Sequence, residues 1–77
     1  MIGRRLAELR QEAGLSQEAL GYRAGIHGVH VHKLEVGKVK RPGAGTLQAL
    51  ADVLSEALGR PITVNDLLEP KPTEVAS

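Results

Sequence analysis

The sequence predicts an all-α, compact five-helix bundle, and three observations carry that expectation. Its apolar side chains are eleven Leu, nine Ala, seven Val and three Ile, with a lone Tyr22 and neither Phe nor Trp, a bias toward helix over strand. Leu and Ala recur at spacings of three and four, as one face of a helix requires. Gly and Ser stand where such helices would start and stop. At 77 residues there is room for one small domain, since a core of this size removes only about 60% of the unfolded chain's surface from water. Residues 1–69 are expected to fold as that domain. Residues 70–77, with Pro70 and Pro72 and almost no apolar content, are expected to form a disordered tail.

The first helix follows from Ile2, Leu6, Leu9 and Ala13, with Gly14 at the left-handed cap position and Arg4, Arg5, Glu8 and Glu12 on the opposite face. Ser16 is a good N-cap for a second helix, which turns Leu20 and Ala24 inward and stops before Gly25. A third short helix runs to about Val36, is closed by Gly37 and faces inward through Val31 and Leu34. Arg41-Pro42-Gly43 breaks the chain. Leu47, Leu50, Ala51, Leu54 and Leu58 then make the cleanest apolar stripe, a fourth helix from about 44 or 46 to 58, ended by Gly59. Thr63 and Asp66 have the spacing of a capping box in front of Leu67 and Leu68, the fifth helix, which Glu69-Pro70 ends. Val29 and Val31 alternate with His30 and His32 too briefly to argue for a strand.

With no Cys there is neither a disulfide framework nor a thiolate metal site, and a cytoplasmic protein is expected. No apolar run approaches the roughly 20 residues that span a bilayer, and the start of the chain lacks a signal-peptide core, so no membrane role is expected. The net charge of +1 conceals an asymmetry. Residues through 45 carry eight basic side chains against four acids, and the remainder two against five, so one end should attract polyanions. Lys38, Lys40 and Arg41 cluster there, and charge alone leaves them either a solvated loop or a phosphate grip. His27, His30 and His32 suggest a metal, but His30 and His32 lie about 160° apart on a helix and cannot converge with His27 on one ion, so no metal and no cofactor is expected. No nucleophile-base pair, paired carboxylates or phosphate-binding Gly loop is present, and an enzyme is not expected.

Two short helices joined by a tight Gly turn are the recipe for a helix-turn-helix, whose second helix must protrude into a groove about 12 Å wide. In the window that starts at Gln17, close crossing calls for a small residue, which is Gly21, and the turn for a residue tolerant of positive φ, which is Gly25. Apolar positions are filled by Leu20, Ala24, Ile26, Val31 and Leu34.

These residues resemble the phage-repressor or Cro-type helix-turn-helix proteins, the XRE family. The likeness rests on Gly14-Leu15-Ser16-Gln17-Glu18-Ala19-Leu20, Ala24-Gly25-Ile26, Lys33-Leu34-Glu35-Val36-Gly37-Lys38, Pro42 and Thr46-Leu47-Gln48-Ala49-Leu50-Ala51, and it spans residues 2 to 68. It implies a lambda-repressor-like domain that binds double-stranded DNA as a transcription regulator or repressor. It further implies that Gln17 touches the DNA backbone, though it could be an ordinary first-turn polar residue. Arg10 would pair with Glu35, bracing the third helix while part of the guanidinium stays free for phosphate. The resemblance also tips Lys38, Lys40 and Arg41 toward phosphate contact.

In the third helix, about 27–36, Val29, His32, Lys33 and Val36 are expected to point outward, with Gly28 and His30 at the flanks. The family's common Gln, Asn or Arg readers are missing. Lys33 can donate to guanine, Val29 can touch a thymine methyl, His32 can bond a base edge, His30 a phosphate, and Gly28 permits close backbone approach. His27 stands where relatives carry a capping Ser or Thr, so the start of this helix is expected to fray, at a cost of about 0.5 to 2 kcal/mol. One domain reads few base pairs, so a homodimer on a palindromic or pseudo-palindromic operator is expected. The family resemblance implies an interface of Arg60, Pro61, Ile62, Val64 and Leu68, unless Ile62, Val64 and Leu68 only close the core. The competing expectation is a protein-interaction module, such as the antitoxin of a toxin pair or a bridging factor, with a protein partner on the acidic half.

Overall fold

A computed structural model describes residues 2–39 and 42–68. The described residues are helical throughout their regular structure: α1 (Ile2–Glu12), α2 (Gln17–Ala24), α3 (Gly28–Glu35), α4 (Ala44–Leu58) and α5 (Val64–Leu68). The expectations for Lys40, Arg41, Glu69 and the 70–77 tail lie outside the described residues.

The caps work as the sequence suggests. Ser16 Oγ accepts the Ala19 N–H at 2.9 Å, and Gly25 ends α2 in the left-handed region at φ 81°. The Thr63 N–H donates to Asp66 Oδ2 at 2.9 Å while the Asp66 N–H donates to Thr63 Oγ1 at 3.2 Å, a reciprocal capping box. His27 caps α3 with its backbone alone, without a side-chain hydrogen bond.

The core gathers Leu6 and Leu9 of α1, Leu20 of α2, Val31 and Leu34 of α3, Leu47, Leu50, Ala51, Val53 and Leu54 of α4, then Ile62 and Leu67. Helix α2 packs between α3 and α4, and α1 lies across α3 and α5. Ser55 fastens the link that leads to α5: its Oγ accepts the Ile62 N–H at 2.8 Å and donates toward the Ala51 carbonyl at 2.8 Å.

Two close crossings depend on missing side chains. A Cβ on Gly21 would stand 2.8 Å from the Ile26 carbonyl oxygen and 3.0 Å from the Gly28 nitrogen, which is why the helix-turn-helix needs a small residue there. A Cβ on Gly3 would overlap the carbonyl oxygens of Leu34 and Glu35, so α1 rests directly on the end of α3.

Candidate nucleic-acid interface

Helix α3 is anchored on one side and open on the other. Val31 and Leu34 are fully buried, while Val29 is 65% exposed and His32, Lys33 and Val36 are exposed as well. The 3.6-residue period separates the two sets: the anchors are three apart, and Val29, Lys33 and Val36 follow one another at four and three. His30 lies at the margin, half-buried. Lys38, just past Gly37, is exposed and extends the open side with positive charge.

Gly28 lies at the flank of α3, half-buried, and its backbone is packed on α2. A Cβ there would lie 2.9 Å from Glu18 Cα and 3.2 Å from the Glu18 nitrogen. The close approach it permits is therefore to the start of α2, within the molecule.

Behind α3 sits a hydrogen-bonded brace. Arg10 Nε donates to Glu35 Oε2 at 2.6 Å and Arg10 Nη2 to Glu35 Oε1 at 3.1 Å, a bidentate pair. Arg10 Nη1 donates to the Leu15 carbonyl at 2.8 Å. With all three nitrogens engaged and the side chain 14% exposed, the guanidinium holds the protein together rather than facing outward. Gln17 completes the group, its Nε2 donating to Glu35 Oε1 at 2.9 Å and approaching His32 Nδ1 at 3.3 Å. Its amide nitrogen is thus turned inward, onto α3. Gln17, Glu18, His27, Gly28, Val29 and His32 line a cleft where α2 and α3 begin.

Residues expected at a dimer interface divide. Ile62 is buried and Val64 packs against the core, so these two close the fold under α4. Leu68 is 41% exposed and Pro61 is exposed. Arg60 donates to both carboxylate oxygens of Glu12 at 2.8 and 3.1 Å, tying the α4–α5 link to the end of α1. Sequence reasoning missed Gly3, Ser55 and the Gln17–His32 contact. Among the described residues no three His, Cys, Asp or Glu side chains are grouped to hold a metal ion, and no helix is long and apolar enough to cross a membrane.

The model of the helix-turn-helix domain family matches residues 2–58. No curated protein matches the chain. Among solved structures, the chain is similar to SinR, the master regulator for biofilm formation, in complex with DNA. The TM-score is 0.78 at 28% identity, covering 90% of this chain and 100% of that one. It is also similar to the complex of SinR with SinI, with a TM-score of 0.80 at 27% identity over 100% of this chain and 69% of that chain. The Gly21 crossing, the Gly25 turn and the anchored α3 are the parts such a domain requires, and the chain belongs to the helix-turn-helix domain family, as a protein of the XRE type.

Proposed function

We propose that this chain is a DNA-binding transcriptional regulator that lays α3 in the major groove and recognises its site as a homodimer. The observation that carries the reading is the two-sided character of α3: Val31 and Leu34 anchored in the core, Val29, His32 and Lys33 presented together outside. Lys33 donates to guanine O6 and N7, and Val29 packs on a thymine methyl. Lys38, followed in sequence by Lys40 and Arg41, grips phosphates beside the groove, and His30 adds a flanking contact. The likeness to SinR in complex with DNA supports the same use of the fold.

Two copies related by a two-fold axis would set their α3 helices about 34 Å apart, matching half-sites one turn apart on a palindromic or pseudo-palindromic operator. Pro61 in the α4–α5 link and Leu68 at the end of α5, both exposed, are the part of the expected interface open to joining two copies. The same pair would also suit a protein partner, a second reading favoured by the likeness to SinR in its complex with SinI. A regulator of this kind works in the cytoplasm and performs no catalysis.

Selection of bound sites from random duplexes tests the reading. The expected result is a symmetric consensus, bound by a species with twice the chain's mass in sedimentation equilibrium. Sites without any consensus would overturn specific recognition, and a monomer on an asymmetric site would overturn the homodimer.

A further inference from the structure

We propose that Gln17 locks the His32 ring in the tautomer with its hydrogen on Nε2, so that α3 presents a fixed donor at this position and selects a hydrogen-bond acceptor on the base edge. The readout rests on the DNA-binding reading above, while the tautomer itself does not.

The Glu35 side chain is 5% exposed and held in both oxygens by Arg10. A carboxylate paired in this way offers acceptors only. Gln17 must therefore turn its NH2 toward Glu35 Oε1, which it meets at 2.9 Å. A flipped amide would set two acceptor oxygens against each other. The same Nε2 stands 3.3 Å from His32 Nδ1. An amide nitrogen has two hydrogens and accepts none, so with one on Glu35 the other faces Nδ1, which must supply a lone pair. The imidazole hydrogen then belongs on Nε2.

The two ring nitrogens face divergent directions, and His32 is exposed beside Val29 on the wall of the α2–α3 cleft. An unconstrained histidine can present either a donor or an acceptor. Held by Gln17, His32 presents a donor, which suits purine N7, guanine O6 or thymine O4 and rejects the amino groups of cytosine and adenine. Base choice at one position is thereby set by a residue of α2 that touches no base.

The test has two arms. In the first, long-range proton–nitrogen correlations are recorded on the free, nitrogen-15-labelled protein at pH 8, where an ordinary imidazole is uncharged. The expected pattern for His32 is a single tautomer, protonated on Nε2, with an Nδ1 resonance that moves in Gln17→Ala and Gln17→Met while that of His30 stays in place. A mixture of tautomers in the unaltered protein, a hydrogen on Nδ1, or an unmoved resonance in both variants would overturn the lock. In the second arm, sites are selected from random duplexes. The unaltered protein should disfavour a donor edge at one symmetric pair of positions by about three- to tenfold, the worth of one hydrogen bond, and both variants should lose most of that preference while keeping the others. An unchanged preference would overturn the readout. Failure of the unaltered protein to select any site would overturn the readout together with the DNA-binding reading, and the first arm would still report the tautomer.

Discussion

Glu35 holds Arg10 across the junction of α3 and α1 through two hydrogen bonds, at 2.6 and 3.1 Å, with the paired side chains 5% and 14% exposed. At this depth removal of one partner costs more than the pair contributes, because the other charge is left in a poorly solvated place. Arg10→Met should therefore destabilise the domain by about 3 kcal/mol, a large part of the stability of a chain this size. The double variant Arg10→Met with Glu35→Leu should recover much of the loss. Urea denaturation of the unaltered protein, Arg10→Met and the double variant checks this, and a double variant no better than the single one would contradict it.

The glycines separate into those that a methyl group would harm and one that it would help. Gly21→Ala meets backbone atoms of Ile26, His27 and Gly28, and Gly3→Ala meets carbonyl oxygens of Leu34 and Glu35. Backbone cannot step aside as a flexible side chain can, so each should cost about 1 to 3 kcal/mol. Gly45, within α4, has open space where its Cβ would stand. Gly45→Ala should raise stability by about 0.5 to 1 kcal/mol through helix propensity. Denaturation midpoints at unchanged slope are the measure.

These positions also mark how far the sequence could be read. Helix boundaries are legible because caps are local: Ser16, Gly25, Gly59 and the Thr63–Asp66 box act on residues within three or four of themselves. The buried face of α3 is legible because Val31 and Leu34 obey the helical period. Gly3 is not, since its reason lies at Leu34 and Glu35, far along the chain, and depends on how α1 crosses α3. Arg10 is legible only in part. Pairing with Glu35 follows from the family resemblance, but the Leu15 carbonyl that takes its third nitrogen carries no side-chain signal, and that bond leaves little of the group for phosphate. The inward turn of Gln17 is hidden for the same reason, as it needs Glu35 and His32 to meet beside it in space. Ile62 and Val64 fit equally well in a core or at an interface by sequence, and only packing assigns them to the core.

Acid should loosen the tie between α1 and the α4–α5 link. The Glu12 carboxyl is held below the usual carboxylate range, chiefly by its hydrogen bond from Arg60; desolvation works against this, and the positive charges of Arg60 and Arg5 add to the lowering. A group whose folded pKa is depressed stabilises above its unfolded value, and the contribution disappears as pH falls through the folded one. The unaltered protein should therefore lose more thermal stability between neutral pH and about pH 3 than Glu12→Gln does. Both residues are open to solvent, so added salt should shrink the difference. Equal losses in the two proteins would exclude this pair as a source of the acid sensitivity.

Specificity and affinity should separate at Lys33 and Lys38, both exposed, one on the outward face of α3 and the other past its end. A base contact from Lys33 would be worth about 1 to 3 kcal/mol, so Lys33→Ala should weaken binding by that amount and relax the preference at one symmetric pair of positions. Lys38→Ala should weaken all sequences alike. On the proposed reading, with Arg10 engaged inside the protein, the phosphate grip would fall to Lys38, Lys40 and Arg41, about three contacts per subunit, and a dimer would lose affinity with salt at a log-log slope of roughly −5. Removing Lys38 from both subunits should bring the slope to roughly −4, whereas Lys33→Ala should leave it nearly unchanged if its partner is a base. Neither change should alter the melting temperature appreciably, because neither side chain is part of the core. Titrations at several salt concentrations, on the selected site and on an unrelated duplex, distinguish the two roles. A Lys33→Ala protein that keeps every base preference but loses slope would move Lys33 to the backbone and leave the reading of sequence to Val29 and His32.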